Sequence, residues 1–117
     1  EYSKPCEADL MNVRELEKRA QELMDLGVDI IGMHATSQAL RPNEIHINDI
    51  KRILSVVPPE KLCIAHSITL DTLGTFLEFK PSITVCQIPI INAKTDEERR
   101  EAALKVNEIF DKYNKAL

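Results

Sequence analysis

Few residues in this sequence are of types that do chemistry. His34 closes the run Val28-Asp29-Ile30-Ile31-Gly32-Met33-His34. An imidazole at a strand end can shuttle a proton near neutral pH, or can simply hydrogen-bond a neighbouring loop. Asp9 stands in the short mixed run Glu7-Ala8-Asp9-Leu10-Met11. A carboxylate there can order a ligand hydroxyl, pair with His34 or hold a loop cation. His66 and Ser67 invite a nucleophile reading, but a glycine elbow and an acidic partner are missing, so ligand contact or packing is expected instead. Cys63, His66 and Cys86 are metal-ligand types. Positions 63 and 66 of one strand point to opposite faces, however, and zinc needs three or four converging ligands. No metal site is expected, and Cys63 and Cys86 read as small buried hydrophobes. His46 reads as an exposed residue at a loop or helix start, and the charged run at positions 94–100 as a solvated helix face with intrahelical pairs.

The elements that must position these residues alternate in type. Positions 7–11 read as a strand. Val13, Leu16, Ala20, Leu23 and Met24 follow helical spacing over 13–26, with Asn12 as N-cap and Gly27 just past the end. Residues 28–34 form a buried-strand pattern. A second helix is expected over 48–57, stopped by Pro58-Pro59, and a third strand over 62–65. Thr69, with Thr72 one turn on, caps a third helix over 69–79. A fourth strand follows over 83–86. Thr95-Asp96-Glu97-Glu98 is a capping-box signature that opens the last helix. Four β/α units with short loops imply right-handed crossovers and a parallel sheet. Periodicity leaves two architectures open, half of a (β/α)8 barrel or a small open parallel sheet.

The bulk composition narrows the classes. At 117 residues the chain fits a single domain, 1–117, but falls well short of the ~250 residues of a whole barrel. It opens at Glu1 rather than methionine, as expected of a fragment or processed product. Hydrophobic residues make up 44% and aromatics only 4%, so the core must be aliphatic, which suits a helix-covered parallel sheet. A net charge of −4, without a basic stripe, argues against a nucleic-acid partner. No apolar run approaches a membrane span. Three cysteines in no disulfide-rich spacing fit reduced thiols, and a cytoplasmic location is the default expectation.

Several stretches together resemble the orotidine-phosphate decarboxylase superfamily, in its hexulose-phosphate synthase and ketogulonate-phosphate decarboxylase branch. Asp9-Leu10-Met11-Asn12-Val13, Arg19-Ala20-Gln21-Glu22-Leu23 and the run from Leu26 to His34 are similar to strands five and six. Ile47-Asn48-Asp49-Ile50-Lys51 resembles the helix after strand six. Ala65-His66-Ser67-Ile68-Thr69-Leu70-Asp71-Thr72-Leu73 sits at strand seven, and residues 85–90 at strand eight. The resemblance implies a C-terminal half-barrel, strands five to eight, of a dimerising enzyme. In that family magnesium-dependent enediolate chemistry uses acids and a lysine on strands one to three. Magnesium is therefore expected only with the missing half, and no cofactor is assigned to this chain alone.

The resemblance also points Asp9 into the barrel mouth and gives His34 a substrate contact, where it stabilises an enediolate or moves a proton. These are the catalytic candidates. The family's phosphate cradle depends on a Gly-Gly pair at the end of strand seven and another at strand eight, where bare backbone can approach an anion. Here those places hold His66-Ser67 and Gln87-Ile88, followed by Pro89. Side chains crowd a phosphate and proline removes a donor. His66, Ser67 and Gln87 are left as substrate-binding candidates. Gln38 and Leu40 stand where the family has a substrate-holding Asp and Gln.

Two functional classes follow. One is part of a carbon–carbon lyase acting on a phosphorylated sugar, with a degenerate phosphate site. The other is a non-catalytic binding or assembly module derived from such a barrel. Both predict a partner, because half a barrel leaves raw sheet edges and an uncovered inner face. That partner is expected to be a second copy or a missing N-terminal half.

Overall fold

The computed structural model describes residues 3–11, 13–34, 43–65 and 67–115. The order is β1 (Glu7–Asp9), α1 (Leu16–Asp25), β2 (Ile30–His34), α2 (Asn43–Ile53), β3 (Leu62–Ala65), α3 (Leu70–Leu77), β4 (Ile83–Thr84), α4 (Ile88–Ile91) and α5 (Asp96–Lys115). The four strands form one parallel sheet in the sequential order β1-β2-β3-β4. Sequential order with right-handed crossovers puts the crossover helices α1, α2 and α3 on the same face, as in a barrel wall. A doubly wound sheet would reverse its order at a switch point to cover both faces.

The register confirms the one-sided covering. Ile31 pairs with Leu62 and Met33 with Ile64, while Gly32 pairs with Cys63 and His34 with Ala65. Since side chains alternate along a strand, Ile31, Leu62 and Ile64 share one face and Asp9, Gly32, His34 and Cys63 the other. The first set is fully buried against Ala20 and Leu23 of α1, Ile50 and Ile53 of α2, Leu73 and Phe76 of α3, and Val106 of α5. The second face carries the exposed side chains of Glu7, Asp9, His34, Ile83 and Val85. Among the described residues α1, α2, α3 and α5 pack on one side and none of them on the other, which makes the sheet a wall with an inside.

Local chemistry sets the helix ends. After α1, Gly27 adopts φ +84°, the Val28 N–H bonds the Leu23 carbonyl and the Gly27 N–H that of Met24. This double bond pattern requires a left-handed residue, which glycine supplies without strain. Thr69 and Thr72 form the reciprocal cap of α3. At α5 the Thr95 hydroxyl accepts from the Glu98 N–H at 3.1 Å, and the Glu98 carboxylate accepts from the Lys94 and Thr95 N–H groups. Each cap of this kind contributes about 1 kcal/mol.

Several boundaries differ from the sequence reading. α1 starts at Leu16 with Glu15 in the cap position, not after Asn12, which lies outside the described residues. α2 runs over Asn43–Ile53 rather than 48–57. His46, Ile50 and Ile53 are all buried at helical spacing, so the apolar stripe extends one turn earlier through a histidine. His46 is therefore buried, not exposed. At the other end, the Val56 and Val57 N–H groups both turn back onto the Ile53 carbonyl, tightening the chain before Pro58. β4 spans only two residues, and α4 is a turn of helix the sequence reading lacked. There Pro89 sits in the first turn, where its missing N–H costs nothing, while Ile90 and Ile91 donate to the Gln87 carbonyl.

Candidate functional site

The candidate site lies on the inner face, toward the C-terminal ends of β1, β2 and β3. Asp9 ends β1 and His34 ends β2, and the register brings them together. His34 Nδ1 lies 2.8 Å from Asp9 Oδ2. The other Asp9 oxygen accepts from the Met11 N–H at 2.8 Å, which fixes the carboxylate's plane as the chain turns away from β1. With Nδ1 held against a carboxylate, the Nε2 edge is the one presented to the rest of the site. That edge lies 3.5 Å from Glu7 Oε1.

Glu7 reaches this position because Gly32, on the neighbouring strand, has no side chain. A Cβ at residue 32 would collide with the Glu7 carboxylate. Beyond the glycine, across the β2–β3 register, sits Cys63, buried at 2% exposure. Glu7, His34 and Cys63 each bring one donor atom to a common point, all within 4.8 Å of one another. Burial, and after it the charge and hydrogen bonding of Glu7, push the Cys63 thiol up to about 11. The thiol is thus held protonated beside a carboxylate. Cys86, on the helix-covered side, is also raised by burial, and its sulfur contacts the Ile68 carbonyl at 3.7 Å.

Ser67 and Gln87 follow the ends of β3 and β4, at the same rim of the sheet. Ser67 is partly buried and Gln87 is exposed at the start of α4. Neither hydrogen-bonds to Asp9 or His34. His66, Gln38 and Leu40 lie outside the described residues. The sequence reading did not single out Glu7, although its period-two spacing from Asp9 places both on one face. It judged Cys63 against His66 on its own strand, whereas the relevant partners come from two other strands.

No family model matches the chain. Over 115 residues, 98% of its length, it is 29% identical to 3-hexulose-6-phosphate synthase 2 of Staphylococcus saprophyticus. Over 102 residues it is 30% identical to the 3-hexulose-6-phosphate synthase of Bacillus subtilis. The 3-hexulose-6-phosphate synthase of Salmonella typhimurium shares the fold, with a TM-score of 0.75 at 20% identity over 94% of this chain. The chain is homologous to the 3-hexulose-6-phosphate synthase branch of the orotidine-phosphate decarboxylase superfamily.

The matched segments cover 53% and 47% of those two relatives and 51% of the solved structure. The chain thus spans about half the length of the curated relatives it matches. Four β/α units corresponding to half of a synthase-like barrel explain the one-sided sheet, since the uncovered face is the side that lies inside a closed barrel. Among the described residues no helix is long and apolar enough to cross a membrane.

Proposed function

We propose that this chain supplies strands five to eight of a (β/α)8 lyase that acts on a phosphorylated sugar, with Asp9 and His34 in its active site. One observation carries the reading: the Asp9–His34 pair sits at adjacent strand ends on the uncovered inner face, where barrel enzymes do their chemistry. Asp9 orients the ring through its contact with Nδ1. His34 Nε2 then gives a proton to, or takes one from, an enediolate oxygen or carbon held over the strand ends. Glu7 and Asp9 share that imidazole, and the third donor beside Glu7 is a thiol. Magnesium selects several oxygen ligands, so this donor set does not fit it. The resemblance places the acids and lysine of a magnesium-dependent step on the other half.

The test is to co-express this chain with the first four β/α units of the Bacillus subtilis relative and assay cleavage of a hexulose 6-phosphate. The expected result is an active complex in which His34→Gln lowers kcat by roughly 10²–10⁴-fold. An active complex indifferent to that substitution refutes the role of His34. An inactive complex favours the second reading, a non-catalytic assembly module. That reading draws support from Gln87 and Pro89, which build the first turn of α4 where a bare glycine backbone would receive a phosphate. It predicts that glycine at positions 66, 67, 87 and 88 restores sugar-phosphate binding, read by calorimetry.

A further inference from the structure

We propose that Glu7, His34 and Cys63 form a binding site for a borderline-soft divalent transition-metal ion, of which zinc is the natural probe. The site shares side chains with the lyase reading but does not depend on it. Three adjacent parallel strands each contribute one ligand of a different type, a carboxylate, an imidazole and a thiol. That mixture selects zinc-like ions over magnesium or calcium, which take oxygen. Bonds of about 2.0–2.3 Å around a tetrahedral ion put ligand atoms about 3.3–3.8 Å apart. The Glu7 Oε1 to His34 Nε2 separation is already 3.5 Å, and the whole set lies within 4.8 Å.

Two independent features mark this as a built arrangement. The first is Asp9, 2.8 Å from Nδ1. A carboxylate on the far nitrogen of a ligating histidine fixes the tautomer that offers Nε2 to the ion. The second is Gly32, the one residue whose missing Cβ leaves room for the Glu7 carboxylate between the histidine and the thiol. Bringing a cation in displaces the thiol proton and relieves the crowding of thiol and carboxylate. Three protein ligands leave a fourth position, toward the exposed side of Glu7 and His34, for a water or a ligand oxygen.

The experiment is titration of the full chain with zinc chloride by calorimetry, and with cobalt chloride by absorption, in parallel with magnesium chloride. The expected result is one zinc per chain, no comparable magnesium binding, and a thiolate-to-cobalt charge-transfer band. Cys63→Ser should abolish the band while Cys6→Ser and Cys86→Ser retain it, and Asp9→Asn should weaken zinc binding about 10–100-fold. Absence of stoichiometric zinc binding, or a band that survives Cys63→Ser, overturns the proposal. A band lost only in Cys6→Ser identifies the exposed surface thiol and equally overturns it. If Cys63→Ser loses its helical circular-dichroism signal, the exposed substitutions Glu7→Gln and His34→Gln decide, since unchanged zinc affinity in either removes the site. No sugar and no second half-barrel enters these measurements, so their failure leaves the lyase reading standing, and the reverse holds too.

Discussion

Replacing Cys63 by alanine should flatten the alkaline end of this protein's stability profile. The thiol is 2% exposed. Burial, with Glu7 beside it, raises it from 9.0 to about 11. In the unfolded chain the same thiol ionises near its ordinary value, so between those two points unfolding releases a proton. Stability drawn from the neutral thiol is fully present below the unfolded value and is lost as the pH climbs toward 11. Two pH units at about 1.36 kcal/mol each give roughly 2–3 kcal/mol, a large share of the ~5–15 kcal/mol typical of a domain. Urea unfolding at about pH 8 and about pH 10.5 reads the difference directly. Between those two pH values the loss is about 2 kcal/mol, so with a denaturant slope of ~1–3 kcal/mol/M the wild-type midpoint should fall about 0.6–2 M further than that of Cys63→Ala. Cys86, raised in the same direction by its own burial, titrates in both proteins and cancels. Equal losses in the two proteins would refute the argument that the inner face holds this thiol neutral.

Two further outcomes test the packing. Gly74 of α3 receives the Tyr113 ring of α5, and a Cβ there would stand 2.7 Å from the phenolic oxygen. Gly74→Ala should therefore cost about 1–3 kcal/mol by overpacking, yet stabilise a Tyr113→Ala background by up to about 1 kcal/mol through helix propensity. A thermal double-mutant cycle checks that change of sign. Ile83 and Val85 stand on the uncovered face at 43% and 38% exposure. Ile83→Glu with Val85→Glu should shift the chain toward monomer in native mass spectrometry without loss of helical signal, and undiminished association would count against completion through the inner face.

Much of the fold could be read along the chain because its determinants are local. Gly27 after an amphipathic run, Thr69 with Thr72, and Thr95 with Glu98 all act within four residues, and each is found where its spacing placed it. The strand at 62–65 was legible as an apolar run between a turn and a cap. The start of α2 was missed because His46 occupies a core position that the pattern expected an aliphatic residue to hold. α4 was missed because Ile88-Pro89-Ile90-Ile91 has no period to read in a single turn.

By itself, the amino-acid order determined four alternating units, an aliphatic core and the residues able to do chemistry at strand ends. What it left open was which of two architectures those units build, since a period of two says only that alternate residues differ in environment. Tertiary structure decided that through strand order: sequential pairing puts the crossover helices on one side and leaves Asp9 and His34 on the other. Register, too, exists only between strands. It sets Gly32 opposite Cys63 and lets Glu7 reach across the glycine, so that a thiol, an imidazole and a carboxylate far apart in the chain share one point.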